Sequence, residues 1–83
     1  MFYRASCPYC RAALQWMDDL FAENSEYLSL EIEKIDELVY PDIAGKYDYY
    51  YVPTYYVGDE KKHEGAASLE KVRNVLDAAL NGV

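Results

Sequence analysis

The chain has 83 residues, of which 52% are hydrophobic and 28% are charged. A chain of this length can bury one hydrophobic core but not two, so multidomain enzymes are excluded and a single domain over residues 1–83 is expected. The net charge of −7 argues against a partner that is duplex nucleic acid, because proteins that bind it carry a surplus of Lys and Arg. No stretch approaches the roughly 20 apolar residues of a membrane span, and the first ten residues do not resemble a secretory signal. We therefore expect a soluble, cytoplasmic protein with no membrane partner.

The first half of the chain is predicted to form a strand, a helix and a second strand. Residues 1–5 are apolar enough for a short strand, and Pro8 suits the first turn of a helix. Apolar residues then recur at three- and four-residue spacing as far as Phe21 or Glu23, which predicts one long amphipathic helix. From Leu28 to Ile32 apolar and polar residues alternate, which is typical of a strand with one buried face.

The second half is predicted to contain a short helix, a hairpin and a closing helix. Pro41 can begin the short helix, and residues 54–57 and 61–64 form strands around a turn. Apolar spacing over residues 69–80 predicts an amphipathic helix that Ser68 caps and Gly82 ends. The order of elements indicates an α/β fold in which three helices pack on a four-stranded mixed sheet.

Tyrosine is unusually frequent, with ten residues in the chain. Six of them stand close together in the sequence, at Tyr47, Tyr49, Tyr50, Tyr51, Tyr55 and Tyr56. The favoured interpretation is structural packing, because tyrosine is often half-buried on strands. The alternative is an apolar rim on which a partner docks.

The two cysteines of the chain stand three residues apart in Cys7-Pro8-Tyr9-Cys10. With the single His63 they cannot supply the four ligands of a structural zinc site, so no metal is assigned. Two thiols three apart at the start of a helix can form and reopen a disulfide with little chain movement. The pattern favours redox chemistry over an inert pair or a metal site shared between chains.

The position of each cysteine predicts its role. Cys7 lies where unpaired backbone N–H groups and the helix dipole stabilise a thiolate, and Arg4 and Arg11 add positive charge. Cys10 lies on the apolar stripe, where burial disfavours its charged form. Cys7 is therefore the candidate nucleophile and Cys10 the candidate resolving thiol, while a solvated charge is the alternative for Arg4.

These residues resemble a known family. The segment Arg4-Ala5-Ser6-Cys7-Pro8-Tyr9-Cys10-Arg11-Ala12-Ala13 is similar to the active-site segment of dithiol glutaredoxins. Val52-Pro53 resembles their proline loop, and the resemblance extends over nearly the whole chain. It implies a thioredoxin-like fold in which Pro53 is cis and lies opposite Cys7.

The resemblance also implies glutathione as co-substrate. By similarity, Arg4 would meet a carboxylate of the tripeptide, the Val52 backbone would pair with it as an added strand, and Tyr9 would flank the pocket. The family usually has two glycines after the hairpin and then an acidic residue; here Glu64 replaces the first glycine and Gly65 matches the second. Ser68 stands at the start of the last helix, whose backbone N–H groups can bind a carboxylate.

The sequence thus predicts a monomeric thiol–disulfide oxidoreductase that reduces protein disulfides or glutathione mixed disulfides, with no permanently bound cofactor. Two alternatives stay open. One is a thioredoxin-like reductant that a flavoprotein reductase recharges. The other is an iron–sulfur carrier, a dimer that shares a cluster through Cys7 of each chain and glutathione.

Overall fold

The computed structural model describes residues 1–82, and Val83, the last residue of the predicted domain, lies outside the described residues. Residues 1–82 contain four strands, which are β1 (Phe2–Tyr3), β2 (Ile35–Asp36), β3 (Thr54–Val57) and β4 (Glu60–Glu64). They also contain three α-helices, which are α1 (Pro8–Glu23), α2 (Pro41–Ala44) and α3 (Leu69–Leu80). None of the helices within this range is long and apolar enough to cross a membrane.

The four strands form one mixed sheet in the order β2-β1-β3-β4. Strand β1 pairs parallel to β2 and antiparallel to β3, and β3 pairs antiparallel to β4. The predicted fold class, three helices on a four-stranded mixed sheet, is confirmed. Because β1 and β2 are parallel, the residues that follow them, including Cys7 and Glu37, leave the sheet at the same edge.

One face of the sheet carries the main hydrophobic core. Side chains alternate between faces along a strand, so Met1 and Tyr3 point to the face that α1 and α3 cover. The apolar stripe predicted for α1 provides Ala13, Met17 and Leu20, each at most 1% exposed. The buried cluster comprises Met1, Ala13, Met17, Leu20, Tyr27, Tyr55, Val72, Val75 and Leu76.

The opposite face is covered by aromatic rings rather than by a long helix. Phe2 is 2% exposed, and its ring centroid lies 4.7, 5.1 and 6.0 Å from those of Tyr47, Tyr49 and Tyr56. Such distances are those of favourable aromatic pairs. Packing is therefore the role of these three tyrosines, and of the buried Tyr55 on the other face.

The strand predicted over Leu28 to Ile32 is wrong. Residues Ser25–Ser29 form a 3-10 helix, and Leu28 is 67% exposed. The Asn24 side chain accepts the N–H of Glu26 at 3.0 Å, and the Ser29 hydroxyl donates to the Glu26 carbonyl at 2.8 Å. These local bonds give the backbone an alternative to a sheet ladder, which alternation of residue types does not reveal.

The second strand instead begins several residues later. Ile35 donates its N–H to the Met1 carbonyl at 2.8 Å, and Glu37 donates to the Tyr3 carbonyl at 3.0 Å. This register carries Glu37 past the end of the strand to the edge where the cysteines lie.

The other predicted elements are confirmed. Helix α1 ends at Glu23, α2 begins at Pro41, and α3 spans Leu69–Leu80. The hairpin turn is one residue shorter than predicted, because Val57 already pairs with Glu60.

Candidate active site

Cys7 is the N-cap residue of α1, and its backbone is extended rather than helical. Its N–H donates to the Arg4 carbonyl at 3.1 Å, and its own carbonyl accepts the N–H of Arg11 at 3.0 Å. Pro8 occupies the first turn of the helix, where its missing N–H costs nothing. The Cys7 thiol therefore stands at the open N-terminal end of α1.

The surroundings of Cys7 favour its thiolate. The backbone N–H of Cys10 is the main group that lowers the pKa of Cys7 below its ordinary value. The Cys10 side chain, the Tyr9 N–H and the Arg11 charge act in the same direction, and they outweigh partial burial. The predicted direction of the Cys7 shift is confirmed.

Cys10 experiences the opposite environment. It is fully buried, and burial raises the pKa of its thiol to about 11. The Arg4 N–H donates to Cys10 Sγ at 3.4 Å, which offsets only part of this effect. Both cysteines are free in this structure. At neutral pH Cys7 is the thiol that ionises more readily.

The Arg4 side chain is engaged within the chain. Its Nε forms an ion pair with Glu37 Oε2, and Glu37 Oε1 accepts the Tyr49 hydroxyl at 2.7 Å. Sequence reasoning missed Glu37 and placed Arg4 next to a ligand. Glu37 could have been found from its position directly after the second strand. That strand was predicted over residues 28–32 rather than Ile35–Asp36, so the signal was lost.

The Val52-Pro53 segment lies at the same sheet edge as the cysteines. Antiparallel pairing of Phe2 with Thr54 sets the residues before β3 beside those after β1. The Val52-Pro53 peptide bond is cis, as predicted. Pro53 is fully buried, and its carbonyl accepts the Gly65 N–H at 2.9 Å. The structure thus links the predicted site residues Pro53 and Gly65 directly.

Three tyrosines at this edge are exposed rather than packed. Tyr9 follows Cys7 by two residues and is 61% exposed, and Tyr50 and Tyr51 precede Val52 and are 86% and 70% exposed. Tyr50 and Tyr51 belong to the tyrosine cluster of the sequence. For these two residues, the alternative interpretation as an apolar rim fits better than packing.

Glu64 contacts backbone groups of the same segment. Its Oε2 accepts the N–H groups of Tyr50 and Tyr51 at 2.6 and 3.1 Å, and its Oε1 accepts Lys61 Nζ at 2.6 Å. The Lys61 bond is the main cause that lowers the pKa of Glu64 to about 2. The sequence did not suggest that Glu64 contacts this loop.

Ser68 is the N-cap of α3, as predicted. Its hydroxyl oxygen accepts the Lys71 N–H at 3.1 Å. Gly65 has a φ of +89°, a conformation that glycine adopts without strain. Within residues 1–82, no group of three or more His, Cys, Asp or Glu side chains is arranged to hold a metal ion.

A mixed sheet with a dithiol at a helix N-terminus and a cis-proline at the same edge defines a thioredoxin-like domain. The model of the family described as the thioredoxin domain matches residues 3–77. The chain belongs to this family, so the resemblance holds at the level of the thioredoxin-like superfamily. Comparison with curated proteins and with solved structures found no match.

Proposed function

We propose that the protein is a thiol–disulfide oxidoreductase in which Cys7 attacks and Cys10 resolves. The observation that carries this proposal is the placement of two free thiols three residues apart, with Cys7 at the open N-terminal end of α1 and Cys10 fully buried on the same helix. This placement lowers the pKa of Cys7 and raises that of Cys10. A low pKa keeps the nucleophile ionised, and a high pKa keeps the second thiol protonated until it is needed.

The reaction has two balanced steps. The Cys7 thiolate attacks one sulfur of a substrate disulfide, which forms a mixed disulfide and releases the other sulfur as a thiolate that takes up a proton. Cys10 then loses its proton and attacks Cys7 Sγ, which releases the second substrate thiol. The substrate gains two electrons, and the protein is left with a Cys7–Cys10 disulfide.

For the reductant and substrate, we propose glutathione or glutathione mixed disulfides, as the resemblance to dithiol glutaredoxins suggests. Tyr9, Val52 and Pro53 would flank the tripeptide, and Arg4, Gly65 and Ser68 would contact its ends. The protein would act as a cytoplasmic monomer, on glutathione or on disulfide-containing proteins.

One observation favours a second candidate, a reductant that a flavoprotein reductase recharges. Arg4 is already paired with Glu37, and the Ser68 oxygen already accepts the Lys71 N–H. The Glu37 charge therefore offsets the attraction of Arg4 for a glutathione carboxylate, whereas the Ser68 hydroxyl keeps its own hydrogen to donate.

The roles of the cysteines are tested by single substitutions. Cys10→Ser should still remove glutathione from a mixed disulfide, because that reaction needs one nucleophile, but should lose most reduction of protein disulfides. Cys7→Ser should lose both activities. Full activity of Cys7→Ser in either assay would overturn the mechanism.

The electron donor is tested separately. NADPH consumption is compared for the wild-type protein coupled to glutathione and glutathione reductase, and coupled to thioredoxin reductase. Turnover with the first pair supports the glutaredoxin-like candidate, and turnover with thioredoxin reductase alone supports the flavoprotein-coupled one.

A further inference from the structure

The segment before Pro53 has no helix or strand to satisfy its backbone. Residues 45–53 form an irregular connection between α2 and β3. Polar backbone groups in such a connection need partners, or the segment loses its fixed position. The β3–β4 hairpin supplies those partners through side chains.

Five hydrogen bonds join side chains of the hairpin to this segment, and one of them runs from the Thr54 hydroxyl to the Tyr51 carbonyl. The Tyr56 hydroxyl and Lys61 Nζ donate to the Asp48 carbonyl at 2.6 and 3.3 Å. Glu64 accepts the N–H groups of Tyr50 and Tyr51 with a single oxygen, Oε2. The Glu64 carboxylate therefore binds the backbone of the two residues that directly precede Val52 and lead into the cis-proline.

The backbone around Glu64 holds the same segment from the other side. Thr54 pairs with Glu64 across the β3–β4 ladder, and the next residue, Gly65, donates to the Pro53 carbonyl at 2.9 Å. A Cβ at Gly65 would lie 3.7 Å from Tyr51 Cβ, so the end of β4 passes close to this segment. Both flanks of Val52-Pro53 are thus fixed by Glu64, the last residue of β4, and by Gly65, which follows it.

The carboxylate is also held in its charged form. Lys61 Nζ binds the second oxygen, Oε1, and leaves Oε2 for the two N–H groups. Hydrogen bonds from backbone N–H groups to a charged oxygen are stronger than those to a neutral one. An ionised Glu64 therefore provides a hydrogen-bond acceptor for two adjacent N–H groups of the irregular segment.

We propose that Glu64 is a positioning residue that fixes the Val52 backbone for pairing with an extended polypeptide substrate. This inference rests on the proposed function, because it assumes that a disulfide substrate binds along Val52-Pro53. Glu64 itself touches neither the substrate nor the reacting sulfurs. Its loss should therefore weaken binding of a substrate that pairs with the Val52 backbone and leave the chemistry of Cys7 unaltered.

The experiment compares the 83-residue wild-type chain with Glu64→Ala and Glu64→Gln, each recharged by the electron donor that supports wild-type turnover. The substrates are a disulfide that joins two eight-residue peptides, and hydroxyethyl disulfide, which is too small to pair with the Val52 backbone. For Glu64→Ala we expect KM for the peptide disulfide to rise about tenfold with kcat nearly unchanged, because two bonds to one charged oxygen are lost. The rate with hydroxyethyl disulfide should change less than about twofold. Glu64→Gln retains a carbonyl acceptor and should recover part of the lost affinity.

Amide hydrogen exchange supplies a readout besides activity. The N–H groups of Tyr50 and Tyr51 should exchange faster in Glu64→Ala, while amides in α1 keep their protection. Glu60→Gln is the matched control, because Glu60 also lies on β4 and pairs with Lys62 at 3.0 Å. It should leave both the kinetics and the exchange of Tyr50 and Tyr51 unchanged.

The two possible failures are distinguishable. Wild-type protein that reduces neither disulfide would overturn the proposed function. Wild-type activity combined with an unaltered peptide KM in Glu64→Ala would overturn only the role of Glu64. Equal losses of activity with both substrates in Glu64→Ala would also overturn it, since they would show that Glu64 affects the reactivity of Cys7.

Discussion

Among single residues, Glu37 offsets the positive charge that would stabilise the thiolate forms of Cys7 and Cys10. Its carboxylate pairs with Arg4, and its negative charge contributes to the raised pKa of Cys10. After the Cys10 N–H, Arg11 is one of the groups that lower the pKa of Cys7, and the Arg4 guanidinium also interacts with the charge of this thiol. A cation that already has an anionic partner stabilises a nearby thiolate less than a free one does.

Replacement of Glu37 by glutamine should therefore activate the site. Glu37→Gln removes the negative charge, retains an acceptor for Tyr49 and releases Arg4, so the pKa values of both thiols should fall. Alkylation of Cys7 by iodoacetamide at pH 7 should become about two- to threefold faster. The measurement is the alkylation rate as a function of pH, with each cysteine followed by mass spectrometry.

A second ion pair of the fold provides the control. Glu23 pairs with Arg73 at 3.5 Å, at the end of α1 opposite the cysteines. Glu23→Gln should leave the alkylation profile unchanged. A profile for Glu37→Gln that matches wild type, or moves to higher pH, would show that Glu37 does not oppose ionisation of the thiols.

At the scale of elements, the sequence predicts best where periodicity and local chemistry agree. The apolar stripe of α1, the proline that begins α2 and the Ser68 cap of α3 each follow from neighbouring residues, and each is confirmed. The strand predicted over residues 28–32 failed because Asn24 supports a 3-10 turn at that point.

The same distinction applies to the site. The cysteine pair and Val52-Pro53 are recognisable as short motifs, whereas the contacts of Glu37 and Glu64 are not. Glu37 reaches Arg4 across 33 residues, and Glu64 reaches Tyr50 across 14. Those contacts are set by the register between strands, which the residue pattern of either strand alone does not specify.

The cap of α3 gives a prediction for one element. Ser68→Ala removes the acceptor of the Lys71 N–H and should lower the free energy of unfolding by about 1 kcal/mol. Ser68→Asp supplies another capping oxygen and should retain wild-type stability. The measurement is unfolding in urea, followed by circular dichroism.

Ser25→Ala is the control for the cap. Ser25 is exposed and lies in the 3-10 helix after α1. Its replacement should change the free energy of unfolding by less than about 0.5 kcal/mol. Equal effects of Ser25→Ala and Ser68→Ala would mean that the Ser68 hydroxyl contributes no specific capping bond.

Across the whole molecule, the two faces of the sheet are stabilised differently. Helices α1 and α3 cover one face with a continuous apolar core, whereas the other is covered by Phe2 and tyrosine rings from an irregular segment. An irregular segment lacks the internal hydrogen-bond ladder of a helix, so its bonds to hairpin side chains carry more of its stability. The tether at Glu64 therefore connects the site with the stability of the fold.

This connection predicts how stability depends on pH. The folded pKa of Glu64, about 2, lies below its ordinary value of 4.5. A carboxyl group whose pKa falls on folding stabilises the folded state above its unfolded pKa, and this contribution is lost as pH falls through the folded pKa. Wild type should thus exceed Glu64→Gln in urea midpoint at pH 7, and the difference should shrink as pH falls from about 5 towards 2.

Urea unfolding of both proteins at pH 7, 4 and 2.5 measures this difference, with Glu60→Gln as the control for a β4 carboxylate that is 68% exposed. A difference between wild type and Glu64→Gln that stays constant over this range would mean that the ionised form of Glu64 does not tether the loop.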